Sequence, residues 1–208
     1  MECKIGEVVR IDNNFSGAEG TKLRMEMTMT SNNDPTNIGL LLLLLTILSA
    51  ASATGPEGIC NSLGGGYVTP DYCISVLGSD PRSRTADDHG LAVIADDIAL
   101  ANATGVNSVI ITYFANVSDS FLLSCLNLCR DYYVGSYANI RQASNATSSR
   151  DYATAEKLLN GVFQVPAKCE ETFTARPGVA SLLNKEDSEF SEVVNLARGI
   201  NNYLKKNN

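Results

Sequence analysis

From residue 83 to the C-terminus the apolar side chains of this chain fall into four stripes, each at helical spacing, separated by short polar breaks. The first runs from about Ser83 to Ala103 through Leu91, Ile94, Ala95, Ile98 and Ala101, with Asp87, Asp88, Asp96 and Asp97 off the stripe. Ser118 is a candidate N-cap for the second, which carries Phe121, Cys125, Leu128, Cys129, Tyr132, Ser136, Ile140 and Ala143. The third begins near Ser149 with Tyr152, Ala155, Leu159, Val162 and Phe163, and Pro166 should kink it before Cys169. After the break at Ala175-Arg176-Pro177-Gly178, the last helix starts at Asn184 and carries Phe190, Val193, Val194, Ala197, Ile200 and Leu204. Val109 to Phe114 is the one strand-like run, but it stands isolated between helical segments and reads as a helical extension. Four one-sided helices with short connections bury their stripes together as an antiparallel four-helix bundle, so residues 83–208 are predicted to be all-α.

Residues 54–82 read differently. They contain Gly64-Gly65-Gly66 and two cysteines, with too few apolar residues for a core of their own. They are expected to form an N-terminal helical hairpin extension pinned by a disulfide, making 54–208 one domain. Five cysteines fall in this span: Cys60, Cys73, Cys125, Cys129 and Cys169. An odd number means that two bridges leave one thiol over. Spacing favours Cys60–Cys73 within the hairpin and Cys129–Cys169 between the second and third bundle helices. On the chain-entropy model each contributes roughly 3–4 kcal/mol. Cys125 lies one turn from Cys129, too poorly directed on a regular helix to bond it, and is the leftover thiol, read as a small buried hydrophobe.

Upstream, Leu40 to Leu48 is an apolar run too short for a bilayer, which needs about 20 residues. Ser49 to Ala53 follows it with a small-residue step at Ala51 and Ala53, the pattern of a secretory signal cleaved after Ala53. Residues 40–53 are therefore predicted to be the signal core and cleavage region, with no membrane anchor after cleavage. Residues 1–39 are polar and form a leader or a mis-assigned start, with Met25, Met27 and Met29 as alternative initiators. Export to an oxidising compartment suits the cysteines. It also suits three Asn-x-Ser/Thr sequons, at Asn102, Asn116 and Asn145, expected at helix ends or loops. With Lys+Arg 16 against Asp+Glu 23, the chain carries −7 and no dense basic cluster, so nucleic acid is not an expected partner.

Chemistry is hard to place. The single histidine, His89, has Asp87 and Asp88 beside it but no nucleophile motif, and reads as part of a solvated helix face rather than a metal cluster. Asp96 and Asp97 are adjacent, so they point in different directions and make a poor acid–base pair. The glycine run lacks the lysine of a phosphate loop. No cofactor or metal is expected, and the chain does not read as an enzyme.

Several pieces come in a recognisable order. A first cysteine is followed by Tyr72-Cys73, then Leu77-Gly78-Ser79-Asp80-Pro81-Arg82-Ser83, Thr85-Ala86-Asp87 and Gly90-Leu91-Ala92. Cys125-Leu126-Asn127-Leu128-Cys129 with Tyr133, Asp151-Tyr152-Ala153-Thr154-Ala155 and Cys169-Glu170-Glu171-Thr172-Phe173 complete the set. From Cys60 to about Leu204 this order resembles the plant invertase and pectin methylesterase inhibitors, the opening motif being nearest the invertase-inhibitor-like branch. The resemblance implies first-to-second and third-to-fourth cysteine pairing. It also implies a monomeric protein, secreted to the apoplast or the vacuole, that inhibits pectin methylesterase or, alternatively, acid invertase (β-fructofuranosidase). In that picture the second, third and fourth bundle helices cover the enzyme's cleft by reversible 1:1 binding. Off the core stripes of those helices the interface candidates are Asp131, Arg141, Asp151, Tyr152 and Glu192, with an exposed Tyr152 as aromatic anchor.

Two departures stand out. Cys125 replaces the alanine usual in the family. The Pro-Lys-Phe motif of invertase inhibitors is not visible, its neighbourhood reading Ser149-Arg150-Asp151-Tyr152. Rival readings from other classes are a helical-bundle carrier with an apolar cavity, and a structural glycoprotein without a target.

Overall fold

Four of the helices begin where an acidic or hydroxyl side chain satisfies a first free amide, whereas the last has Leu183 at its start and no side-chain cap. In the computed structural model, which describes residues 55–208, Thr69 caps α2 (Pro70–Gly78) and Asp87 caps the first bundle helix, α3 (Asp88–Asn116). Asp119 caps α4 (Ser120–Ser148), accepting from the amides of Phe121 at 2.9 Å and Leu122 at 3.0 Å. Asp151 caps α5 (Tyr152–Val162) through the Thr154 amide. The third stripe then breaks at Phe163 and Gln164, and α6 (Val165–Phe173) restarts with Pro166 in its first turn, where a missing N–H costs nothing. α7 (Asn184–Asn207) closes the bundle, after α1 (Gly55–Ser62) has opened the described chain. Among the described residues there is no strand. The leader, the signal core and the cleavage step lie outside them.

α3, α4, the broken pair α5–α6 and α7 form the antiparallel bundle, each packed on its sequence neighbour, with α7 returning to α3. Asp96 and Asn201, Ala103 and Tyr137, Phe114 and Arg130 meet at levels that run oppositely along their helices. α4 and α7 lie across the diagonal and are joined by side chains: Tyr133 stacks edge-on against Phe190 at 5.1 Å, and Thr147 reaches Asn201 at 2.9 Å. One core cluster centres on Cys125, Tyr133, Ile140, Phe173, Phe190 and Val194. A second joins α1 and α2 to the bundle through Ile59, Leu77, Leu91, Leu159, Ile200 and their neighbours. The hairpin thus shares its core with the helices it lies on.

The structure bridges Cys60 to Cys73 and Cys129 to Cys169. Cys125 stands outside both bridges, buried, its thiol 3.3 Å from the Thr172 carbonyl. Several readings need correction. Val109 to Phe114 does extend the first helix, to Asn116, which puts Asn102 in mid-helix and half-buried rather than at an end. Ala101 faces solvent, and Asp96, read as off the stripe, is 0 % exposed. On α4, Leu126 and Tyr133 take the buried places expected for Leu128 and Tyr132, which are half-buried. A helix with neighbours on two sides and a partner across the diagonal buries a wider arc than one stripe.

Candidate functional site

The helices present the five interface candidates unequally. Asp131 is exposed on α4 and lies 3.7 Å from Arg130. Arg141 is exposed two to three turns further along the same helix. Asp151 is exposed too, but the Thr154 hydroxyl first, and then the Thr154 amide 3.1 Å from its Oδ1, hold its carboxyl below the usual range. Glu192 is exposed on α7, across the diagonal from α4. It lies near enough to Tyr72 of the hairpin to help raise that phenol to about 12, a shift due first to burial. Outward positions on diagonal helices face opposite ways, so Glu192 does not share a patch with Asp131 and Arg141.

Tyr152 is the correction that matters most. It is 4 % exposed and packs into the second core cluster, with its hydroxyl 3.1 Å from His89 Nδ1 and its ring edge-on to the imidazole. As the first residue of α5 it points down onto the α3 N-terminus, so it is no exposed anchor. In its place the turn exposes Arg150, held in the left-handed region at φ 63 between the end of α4 and the cap of α5. Arg150 borders a polar hollow of about 390 Å³ at this end of the bundle, with Asp87, Asp88, His89, Tyr203 and Asn207. An adjoining hollow of about 370 Å³ brings Lys205 to its other side.

This hollow does not assemble a reaction centre. Asp87 Oδ1 is taken by the Gly90 amide at 2.8 Å, and His89 is partnered by a tyrosine rather than a nucleophile. No group of three His, Cys, Asp or Glu side chains able to hold a metal occurs among the described residues. Both hollows lie at the bundle end and are open to solvent, whereas a carrier of apolar ligands needs an apolar void between the helices.

A second face was not foreseen. Arg198 on α7 lies over the Phe163 ring at 4.3 Å and the Tyr67 ring at 5.8 Å. Its guanidinium donates to Asn160 at 2.6 Å and Asn195 at 2.8 Å. Arginine held between aromatic rings is a common composition of protein interfaces, and here it also fastens the hairpin loop. A faint signal lay in Phe163 and Tyr67, aromatics that fall at a helix end and in a connecting loop. Of the sequons, Asn116 ends α3 and Asn145 lies in the last turn of α4, both exposed; Asn102 Oδ1 is buried.

By fold, the described residues define a helical bundle with a disulfide-bridged helical hairpin at its start. The family model described as plant invertase/pectin methylesterase inhibitor matches residues 56–200, and the chain belongs to that family. It is 28% identical over 167 residues to "Putative invertase inhibitor" of Platanus acerifolia, covering 79% of this chain and 92% of that protein. It is 27% identical over 135 residues to "Pectinesterase inhibitor" of Actinidia deliciosa, covering 65% of this chain and 73% of that one. The fold is similar to the crystal structure of a pectin methylesterase inhibitor from Arabidopsis thaliana, with TM-score 0.52 and 18% identity over 74% of this chain and 97% of that one. These relatives are named as inhibitors, not enzymes, and this chain is an inhibitor-type protein of the same family.

Proposed function

We propose that the exported chain, residues 54–208, is a monomeric protein that reversibly inhibits pectin methylesterase by 1:1 binding over the substrate cleft, in the apoplast or the vacuole. Family membership along the whole bundle is the observation that carries this reading. The short Ser149-Arg150-Asp151-Tyr152 turn, in place of the Pro-Lys-Phe motif of invertase inhibitors, favours pectin methylesterase. The second reading is acid invertase, favoured by the relative of that name with the longest matched span among those compared above. A bundle tied by two disulfides is pre-organised, so binding loses little to ordering. Asp131, Arg141 and Asp151 remain interface candidates on α4 and at the α5 cap. Glu192 would serve only in a contact that includes the hairpin side. Asn116 and Asn145 are the sequons placed to carry glycans.

Titrating oxidatively folded 54–208 against a plant pectin methylesterase and a plant acid invertase at mildly acidic pH tests the choice. Saturable inhibition of the first alone is expected. Inhibition of invertase alone would transfer the proposal to the second reading. Inhibition of neither would refute both.

A further inference from the structure

Among the described residues three arginines lie over aromatic rings, and two of them also hold an acid. Arg130 lies over Phe114 with Asp131 at 3.7 Å, and Arg176 over Phe121 with Asp119 at 2.9 Å. Arg198 lies over two rings, Phe163 at 4.3 Å and Tyr67 at 5.8 Å, and pairs with no Asp or Glu among the described residues. Of its five N–H groups, that on Nε goes to Asn160 Oδ1 at 2.6 Å and one on Nη1 to Asn195 Oδ1 at 2.8 Å. The other three, including both on Nη2, have no protein acceptor among the described residues. A half-buried cation thus sits on rings and neutral amides with no counter-charge.

The guanidinium is also held in place. Both ends of the Asn195 amide are used, Oδ1 accepting from Arg198 and Nδ2 donating to the Tyr67 carbonyl. Asn202 donates to the Tyr67 hydroxyl, and Gly199 lets the tyrosine ring lie against α7. α5, the residue that follows it, α7 and the hairpin loop therefore all fix one planar fork. A fork ordered in advance loses little rotamer freedom when it meets a partner. Access to it is open on the α5 side. Gly161, next to Asn160, is exposed, and a Cβ there would meet nothing within 4 Å.

We propose that Arg198, with Phe163 and Tyr67 as its apolar rim, is the anchor at which the α5–α7 face takes a carboxylate side chain of the partner enzyme. The inference rests on the inhibitory reading and names one contact within it. Free N–H groups on a planar fork match a carboxylate two bonds at a time. Arginine and tyrosine packed together are also the residues that carry most binding energy where an interface centre is desolvated. A polymer of acidic sugars fits this face less well, because it needs a row of cations. Along the seam Lys205 is already paired with Glu156, and toward the hairpin come the exposed acids Glu189 and Glu192. One fixed cation in these surroundings suits a single carboxylate.

Inhibition constants of the full secreted chain, oxidised, test it against whichever of pectin methylesterase and acid invertase the wild type inhibits. Arg198→Met keeps an apolar stem over the rings and removes the fork, and should weaken inhibition about 10–100-fold. Arg198→Lys keeps the charge without the fork and should fall between the two. Gly161→Glu and Gly161→Lys add similar bulk outside the fold with opposite charge. The glutamate variant should bind at least about threefold more weakly than the lysine variant at low salt. Both should melt no lower than wild type, since each replaces a helical glycine, so this pair decides if Arg198→Met does not fold. Wild-type inhibition matched by folded Arg198→Met would overturn the anchor and leave the inhibitory reading standing, as would equal potency of the two Gly161 variants. Wild-type protein that inhibits neither enzyme would overturn the reading and the anchor together. Retention of wild type but not Arg198→Met on immobilised polygalacturonate, with inhibition unchanged, would give the cation to the polymer and overturn the proposal.

Discussion

Around Thr147 three acceptors compete for one hydrogen, and one of them is a carboxyl that the sequence hides. Thr147 Oγ1 lies 2.6 Å from Asp96 Oδ2, 2.9 Å from Asn201 Oδ1 and 3.0 Å from the Ala143 carbonyl, all within the buried centre of the bundle. One hydroxyl hydrogen cannot serve three acceptors at once, so the bond that Thr147 donates to Asp96 is shared and leaves the buried carboxyl poorly satisfied as an anion. Burial raises Asp96 to about 7, against the opposing bonds from Thr147 and Asn201. The sign follows from the direction of the shift. A raised carboxyl stabilises the folded state fully below its unfolded value near 4, and the contribution is lost as pH rises through about 7. Asp96→Asn keeps the shape and removes the charge. It should flatten the loss of stability between pH 4 and 7 and leave the variant more stable than wild type at pH 8, on the order of 2–4 kcal/mol. Urea unfolding of both proteins at pH 5 and pH 8 measures this; equal pH dependence would show that Asp96 is not the titrating group. An aspartate beside another aspartate reads from sequence as a solvated face. What reverses that reading is a threonine and an asparagine on two other helices, and their proximity is a property of the packing.

Among elements, the hairpin shows how a single glycine sets a docking geometry. Tyr67, in the loop between α1 and α2, lies flat against α7 at Gly199, where a Cβ would stand 2.9 Å from its ring carbon Cγ. The Tyr67 carbonyl accepts from Asn195, and its hydroxyl accepts from Asn202. A glycine inside a helix costs about 1 kcal/mol relative to alanine, and this close approach is what it permits. Gly199→Ala should therefore destabilise the protein by about 1–3 kcal/mol despite its better helix propensity. Its effect should concentrate at residues 55–80, read as faster proteolysis there. A gain in thermal stability would mean that the loop tolerates the methyl group. The helices themselves were legible because their cause is local: periodic apolar residues, and Pro166, which fits a first turn and not a helix interior; the caps were less so, since Asp119 caps α4 where Ser118 was expected. The hairpin's seat on α7 was not, because Tyr67 and Gly199 are far apart in the chain and neither is unusual alone.

At the scale of the whole molecule, the bundle architecture follows from four stripes and short connections, and the family comparison agrees with it. The surface is harder to read. Asp131, Arg141, Asp151 and Glu192 were chosen as residues off the stripes, and all four are exposed. Which of them can touch one partner depends on which helices are neighbours, and the diagonal between α4 and α7 separates the last from the first two. Tyr152 failed for a related reason: the first residue of α5 lies over the α3 N-terminus, where its hydroxyl meets His89 Nδ1. The central claim is that this rigid, bridged surface acts by forming a stoichiometric complex with a carbohydrate-active enzyme. The measurement that tests it most directly is a titration at enzyme concentrations well above the dissociation constant, with residual activity and chromatographic size followed together. The account predicts that activity of pectin methylesterase falls linearly to an end point at one chain per enzyme, with both proteins then eluting as one larger species. Doubly bridged, folded protein that leaves both pectin methylesterase and acid invertase fully active and unshifted in size would contradict it.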